Sequence, residues 1–545
     1  MLLLIMESSK VEKSNRFLFL ILFLIGLFSI IITFWYFQSP WYGQNKWNIS
    51  AIQKTGLIRF HSQSISFEKD EKTIIKLNNK KAGYSFKLSD FNQNPTLSYI
   101  PTTLNPNKDK SNFQYTWKEP ENYNYNVNYF SFQNKTDSFF VPAVNDFDFL
   151  THGKHAVFLY VDSSDFFSDS IGIFVPGINA NPLNIKKYGN YAKRGRNWER
   201  KVYYQLFKGN GNLIDQGWIG VRIHGNLSRA APQKSIKFYG RSVYGKKKFT
   251  PPFKDSNKNS RFILRTPFAS LGKVVYKDAM ISEIAIKLGL DAMRSTPANV
   301  YLNGEFWGFY NFRDRIDEDF FFEKYNIDTL DFVELWGTAK HGSNEDYKKL
   351  SKWIYKNDLR LSENYESLLK HIDLENYTRY LLLELFFSNR DWPHNNVRYW
   401  RSSELDGKWR WIIFDMDATG LKKADMAEYI IERYEKKGSF WPVDMMFGLL
   451  ANDKFYSQFL SEFSRLNKST LEINYLKLKA DSLKEIYMPL IPNQAKRWYY
   501  PGSVDIFEKA HINFLDFLEY RDRVFVDELK KLRNYAIKYQ DEKFK

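Results

Sequence analysis

The sequence predicts an α+β protein in three parts: an N-terminal transmembrane helix, a β-sandwich-like module and a two-lobed domain that takes up the rest of the chain. Three observations predict it. An uncharged apolar run occupies residues 17–37. Short β-type runs broken by Asn, Asp, Pro and Gly follow, from about 55 to 180. From 181 onward strand-like segments come first and helical ones later, with one hairpin pattern inside the helical half. At 545 residues the chain is too long for a single hydrophobic core.

The first element reads FLFLILFLIGLFSIIITFWYF, interrupted only by Gly26, Ser29 and Thr33. At about 1.5 Å per residue it spans roughly 30 Å, the thickness of a bilayer's hydrocarbon layer. Trp35 and Tyr36, with Trp41 and Tyr42 just beyond, stand where an aromatic belt belongs. Lys10, Lys13 and Arg16 precede the run, whereas Lys46 and Lys54 follow at a distance. This bias predicts a cytoplasmic N-terminus over residues 1–16 and a single-pass signal anchor, with the bulk of the chain extracytoplasmic. No small-x-small cleavage pattern follows the run directly.

Residues 38–54 read as a polar linker. ISFEKD, TIIKLNN, YSFKL, FQYTW, NYNVNYFSFQ and HAVFLYVD then supply the alternation of a β-rich module over 55–180. No catalytic cluster falls within it, so its expected role is binding or spacing. In the domain at 181–530, VYYQLF, WIGVRIHG and SIKFYGR read as strands. A helix is expected near 278–289, then the strands NVYLNG and GFYNFR. Helices dominate 343–388, a hairpin fills 396–414, and the remainder is mostly helical. Residues 531–545 read as a polar tail.

Composition excludes several classes. There are no cysteines, hence no disulfide framework, zinc–thiolate site or cysteine nucleophile. The formal charge is +17, but its lysines are dispersed and only Lys246–Lys248 cluster. No recognition motif accompanies the charge, so nucleic acid is not an expected partner.

The chemistry concentrates in NRDWPHNNVRYWRSSELDGKWRWIIFDMDATG, residues 389–420. Asp406-Gly407 marks a turn between strands at 397–401 and 408–414. Antiparallel pairing sets Arg401 opposite about Lys408, and Asn395 or Asn396 opposite about Phe414 or Asp415. The open ends of the hairpin therefore gather Asp391, Asn396 and Asp415. Phosphoryl transfer needs hard oxygen ligands for Mg²⁺ and a carboxylate to orient the attacking hydroxyl. Protein kinases supply these from H-R-D-x-x-x-x-N, two strands and D-F-G. Arg390-Asp391, then Asn396 five residues on, then a hairpin and Asp415 follow that order. His394 is expected to be a structural hydrogen-bonder.

At these residues the sequence resembles the CotH kinase family. The similarity covers about 170 to 525. It runs through GIFVPG, WER, GVRIHGNLSRAAPQKSIKFYGRSVYG, VYLNGEFWGFYNFRDRID, RDWPHNNVRYW, WIIFDMD, KRWYYPG and FLEYRDR, in order. The resemblance implies a two-lobed atypical protein-kinase-like fold and phosphorylation of Ser/Thr in surface proteins, with ATP and Mg²⁺ or Mn²⁺. Under it, Asp391 is the catalytic carboxylate, and Asn396 and Asp415 bind metal, with Asp417 a second candidate. In HGNLSR, Asn226, Ser228 and Arg229 are phosphate donors, with Gly225 allowing the turn. Lys234 or Lys237 neutralises phosphate, Lys234 being preferred for its PQKS setting, and Arg222 is a further candidate. Glu283 is a possible partner of the lysine, although an exposed helical Glu is the simpler expectation. Where the family commonly has Glu, this chain has Asp314, which puts a side-chain role there in doubt. Trp307 is expected in the core.

Two other functions are compatible with these residues. One is a non-catalytic membrane-anchored surface protein whose kinase-like domain is a scaffold and whose β-module binds a glycan or protein partner. The other is a metal-dependent hydrolase using Asp415 and Asp417, which no His-rich metal site supports.

Overall fold

The computed structural model describes residues 155–545 except 182, 185–186, 254–257, 268–269, 271–272, 421–422 and 499, and before them short segments between 46 and 144. The expected anchor at 17–37 lies outside the described residues. Among the described residues no helix is long and apolar enough to cross a membrane.

The chain divides into two compact units. The first holds two sheets. One has three strands, Lys46–Trp47, Ser64–Phe67 and Ser85–Lys87. The other has five, in the order Ile58–Arg59, Ser138–Val144, Asn128–Gln133, Ile74–Leu77 and Lys80–Ala82. Phe130, Phe132 and Val141 are buried, and the rings of Phe132 and Phe139 stack 4.8 Å apart.

The second unit takes in almost all of the chain from Phe149 onward. It opens with β1 (His155–Tyr160), β2 (Arg200–Lys208), β3 (Leu213–Ile223), β4 (Ile236–Tyr239), β5 (Arg261–Arg265), helix α1 (Lys277–Lys287), β6 (Asp291–Ala292), β7 (Ser295–Leu302) and β8 (Glu305–Asp314). Seven of these strands close a barrel in the order β2-β3-β4-β5-β8-β7-β1. The HAVFLYVD segment, expected in the β-rich module, is β1. It pairs antiparallel with β2 and parallel with β7, so the second unit begins well before residue 181.

Strand alternation gives the barrel its two faces. Val221, Ile223, Ile236, Phe238, Phe262 and Leu264 point inward and are buried in one core. Their neighbours Arg222, Lys237, Ile263 and Arg313 form one cross-strand row on the outside. Arg265, two residues beyond Ile263, shares that face.

A second sheet of order β6-β12-β11-β9-β10 adds β9 (Asp331–Glu334), β10 (Thr338–His341), β11 (Arg398–Arg401) and β12 (Arg410–Ile413). Arg398 lies directly opposite Glu334, and Arg401 opposite Asp331. Both pairs form ion bridges, at 2.9 Å and 3.0 Å, the cross-strand charge pairing that fixes register.

Around this sheet pack helices, among them α2 (Leu374–Phe386), α3 (Met426–Lys437) and α4 (Val504–Lys543). Along α4, Phe507, Phe514, Phe517, Leu518, Phe525, Leu529 and Leu532 are buried at helical spacing. The residues expected as a polar tail are the last turns of α4, with Leu532, Ala536 and Gln540 buried. Arg521 of α4 donates to the terminal carbonyls of α2, Nε to Phe386 at 2.9 Å and Nη2 to Leu385 at 3.2 Å. Its Nη1 donates to Glu528 at 2.7 Å, and Glu528 accepts from the Met426 N–H at 3.1 Å, at the start of α3. One buried ion pair thus satisfies orphan groups at two helix ends.

Candidate active site

The loop leaving α2 is built from the inside out. Buried Glu384 accepts from Asn389 Nδ2 at 3.0 Å, and Asn389 Oδ1 accepts from the Asp391 N–H at 3.1 Å. Trp392 anchors the loop by donating Nε1 to Tyr380 at 2.8 Å. The Asp391 carboxylate then accepts from Asn395 Nδ2 on one oxygen and from Asn396 Nδ2 on the other, each at 3.0 Å. This leaves Oδ1 of Asn396 without a hydrogen bond among the described residues. Asn396 has φ 55° and Asp415 φ 61°. Asn and Asp tolerate this left-handed backbone better than other non-glycine residues.

The hairpin pairs Tyr399 with Trp411 and Trp400 with Arg410. Continued along the strands, this register puts Arg401 opposite Trp409, one residue from the expected Lys408, and Asn396 opposite Phe414. The two open ends meet as expected. The Arg390 N–H donates to the Ala418 carbonyl at 3.4 Å, and Asn389 Nδ2 lies 3.4 Å from Met416 Sδ.

Asp415 and Asp417 share one cation. Arg265 Nη2 reaches from β5 to Oδ1 of Asp415 at 2.5 Å and to Oδ2 of Asp417. Burial, then the neighbouring Asp415 charge, raises the Asp417 carboxyl, while Arg265 and Lys277 oppose the rise. At Asp415 burial acts the same way, but Arg265 outweighs it and holds the carboxyl below its ordinary value. The segment is fixed from α1. Asp278 accepts from the Met416 N–H at 2.8 Å, and Lys277 Nζ donates to the Thr419 carbonyl. Asp278 also pairs with Arg313, which is fully buried and donates to Ser282 Oγ at 3.0 Å. Oδ1 of Asp417 is buried and takes no hydrogen bond among the described residues. That free oxygen, the adjacent Asp415 carboxylate and Oδ1 of Asn396 are hard donors of the kind a divalent cation such as Mg²⁺ prefers, so the donor chemistry fits the expected metal. Arg265 now holds both carboxylates, and no group of three or more His, Asp or Glu among the described residues is placed to hold a metal.

The barrel contributes positive charge. The ammonium of Lys237, on the outer face, has no hydrogen bond or ion pair among the described residues. Burial first, then the charges of Arg315 and Arg398, bring its ammonium down to about 7. Beside it His224 is held well below its ordinary value by burial and by Lys237, Arg265, Arg315 and Arg398, and its Nδ1 is buried without a partner among the described residues. Arg265, Arg315 and Arg398 are each paired with carboxylates, to Asp415 and Asp417, to Asp317 and to Glu334, so the Lys237 ammonium is the one of these cations without a counter-charge among the described residues.

The other expected phosphate ligands lie elsewhere or serve the loop itself. Lys234, ranked above Lys237 from the sequence, is fully buried. Its Nζ donates to the Ala231 carbonyl at 2.7 Å and lies 4.4 Å from the Tyr191 ring centre. Lys237 lies three positions after Lys234, an odd spacing that in extended backbone sends the two side chains to opposite sides, and it is Lys237 that meets the cationic face. Arg229 is buried and donates twice to the Ile223 carbonyl, both at 2.8 Å. Arg222 donates to Glu199 at 2.8 and 2.6 Å, and Glu199 also takes Arg241 at 2.7 Å. Asn226 Oδ1 accepts from Arg194 at 3.5 Å. Ser228 packs under Gly225, whose φ is +108° and whose added Cβ would lie 2.2 Å from Ser228 Oγ. Only glycine fits there.

Glu283 pairs with Lys479 rather than with either lysine. Asp314 is buried on Arg294 at 2.6 Å. Trp307 is core, against Phe167, Phe174 and Trp498. His394 is buried against Phe440. Sequence reasoning missed Arg265, Lys277, Asp278 and Arg313. The one available signal was the charged pair Lys277-Asp278, both buried, at the head of the helix.

A strand-rich barrel leading into a helical half, with an Asp–Asn loop and an aspartate at the two ends of one hairpin, defines a kinase-like protein. The family model described as CotH kinase protein matches residues 221–525, more than half of the chain. The chain belongs to the CotH kinase family, which bears out the resemblance carried by its motifs. No curated protein matches it. Among solved structures, the crystal structure of a Helicobacter pylori proinflammatory kinase, CtkA, aligns at 12% identity with a TM-score of 0.28, covering 54% of this chain and 94% of that one.

Proposed function

We propose that the chain is an ATP- and Mg²⁺-dependent protein kinase acting on Ser/Thr hydroxyls of a protein substrate. The observation that supports it most is the meeting of the Asp391–Asn396 loop with the Asp415–Asp417 segment beside the cationic face that bears Lys237 and Arg265. In this reading Asp391 orients the acceptor hydroxyl and takes its proton as the oxygen attacks the γ-phosphorus. The bond from that phosphorus to the bridging oxygen breaks, and ADP leaves with the electron pair. Lys237 and Arg265 hold phosphate oxygens. Asn396, Asp415 and Asp417 would hold Mg²⁺ or Mn²⁺, which when bound offsets charge on the phosphates.

The test is transfer of labelled phosphate from γ-labelled ATP by the detergent-solubilised full chain, with Mg²⁺ or Mn²⁺, beside Asp391→Ala and Asp415→Ala. Label that disappears in both variants supports the kinase. No label, together with no ATP-dependent thermal shift in the wild type, sinks it. The charge bias around residues 17–37 supports a single-pass anchor with this domain outside the cytoplasm. Protease accessibility on intact cells checks that orientation, and full protection would overturn it.

A further inference from the structure

A second set of cations, separate from those that act on Lys237, stands beside Asp391. Arg390 immediately precedes the carboxylate, and its guanidinium carbon lies 4.5 Å from the centre of the Tyr429 ring on α3. Arg433, one turn further along α3, lies 5.5 Å from the same ring. The Tyr429 hydroxyl donates to the Arg390 carbonyl and so ties helix and loop together. Neither guanidinium makes a hydrogen bond or ion pair among the described residues. Nε and Nη2 of Arg390 and Nε of Arg433 are closed off from solvent without an acceptor.

This is unlike the arginines of the adjoining hairpin. Arg398, Arg401 and Arg410 each have carboxylate partners. Both guanidiniums lie against one aromatic ring with no carboxylate paired to either among the described residues, and an oxyanion that both could reach would supply the missing acceptor. A planar guanidinium matches a carboxylate or phosphate through paired N–H donors. The position adjoins the proposed catalytic carboxylate, because Arg390 is the residue before Asp391. Burial raises the Tyr429 hydroxyl, Arg433 and Arg390 oppose this, and the charge of Asp391 adds to it. The charges acting on His394, from Lys437 and Arg433, continue the strip past the loop. None of these residues is among the cations that act on Lys237 or His224.

We propose that Arg390 and Arg433 form an anion subsite that selects acceptor polypeptides carrying an acidic side chain next to the hydroxyl to be phosphorylated. The inference rests on the kinase reading for its acceptor, but its test does not need turnover. Three fluorescent peptides with one central serine are compared by anisotropy on the full chain. They are flanked by glutamate, by phosphoserine, or by glutamine. Hydrogen bonds to charged groups lead us to expect the two anionic peptides to bind about tenfold tighter than the neutral one. That preference should be lost in Arg390→Gln and in Arg433→Gln, with thermal melting confirming that each variant is folded. A preference for phosphoserine over glutamate would identify a previously phosphorylated substrate as the source of the anion, and the reverse an acidic one. Equal binding of all three peptides, no binding of any, or a preference that survives both substitutions overturns the proposal. Phosphate transfer to the same peptides is scored separately, so loss of the kinase reading is told apart from loss of the subsite.

Discussion

The side-chain amide of Asn396 donates to Oδ2 of Asp391 at 3.0 Å, closing a short loop on the oxygen that would receive the acceptor's proton. A carboxylate held in this way keeps its orientation without a substrate. Asp391→Asn preserves shape and removes the base. Phosphate incorporation is expected to fall by about 10²–10⁴-fold, the range for a lost general base, while the ATP-dependent thermal shift persists.

Lys237 is expected to make the proposed nucleotide binding pH-dependent. Its ammonium titrates at about 7 in the folded chain, and a docked phosphate favours the charged form. Below that value the lysine is already protonated and binding takes up no proton. Above it, binding must bring one in, so affinity weakens as pH rises, by up to about tenfold per pH unit. Calorimetry in buffers of different ionisation enthalpy should detect this proton uptake on the alkaline side, and Lys237→Met should abolish it.

Asp278 joins the fold to the site. Its carboxylate is 6% exposed and faces Arg313, which is 1% exposed. Asp278→Asn keeps an acceptor for the Met416 N–H but leaves a buried guanidinium uncompensated. The expected loss is about 3–5 kcal/mol, read as a lower urea midpoint.

Glu384 is fully buried, and burial raises its carboxyl to about 8, with the Asn389 hydrogen bond opposing. In the unfolded chain the same group ionises near its ordinary value of 4.5. Between these values the unfolded state sheds a proton that the folded state keeps. Stability therefore falls as pH rises through that window, by an amount on the order of a few kcal/mol. Glu384→Gln should flatten the slope and raise the melting temperature on the alkaline side, as scanning calorimetry across pH would show.

The site was legible in the sequence where its parts are local. The hairpin, its turn at Asp406-Gly407, and the spacing from Asp391 to Asn396 all lie within one short stretch, and strand pairing converts that stretch into proximity with an error of one residue. Partners that meet across distance were not legible. Arg265 reaches Asp417 from 152 residues away, and Glu199 reaches Arg222 from 23. Neither periodicity nor spacing encodes such a meeting. The preference for Lys234 over Lys237 rested on motif membership, whereas strand parity alone says which side chain leaves the barrel. The β1 segment looked like its β-type neighbours because alternation reveals a strand but not the sheet it joins.

The buried pair Arg521–Glu528 has a consequence for biosynthesis. Every candidate catalytic side chain precedes residue 418, yet among the described residues the Phe386 carbonyl at the end of α2 and the amide that starts α3 find their partners in α4. A ribosome that has already made Asp391, Asn396, Asp415 and Asp417 still holds a chain whose loop lacks its support. Competence is therefore conferred late in synthesis, and a chain cut short of residue 521 would carry the chemistry without the scaffold to aim it.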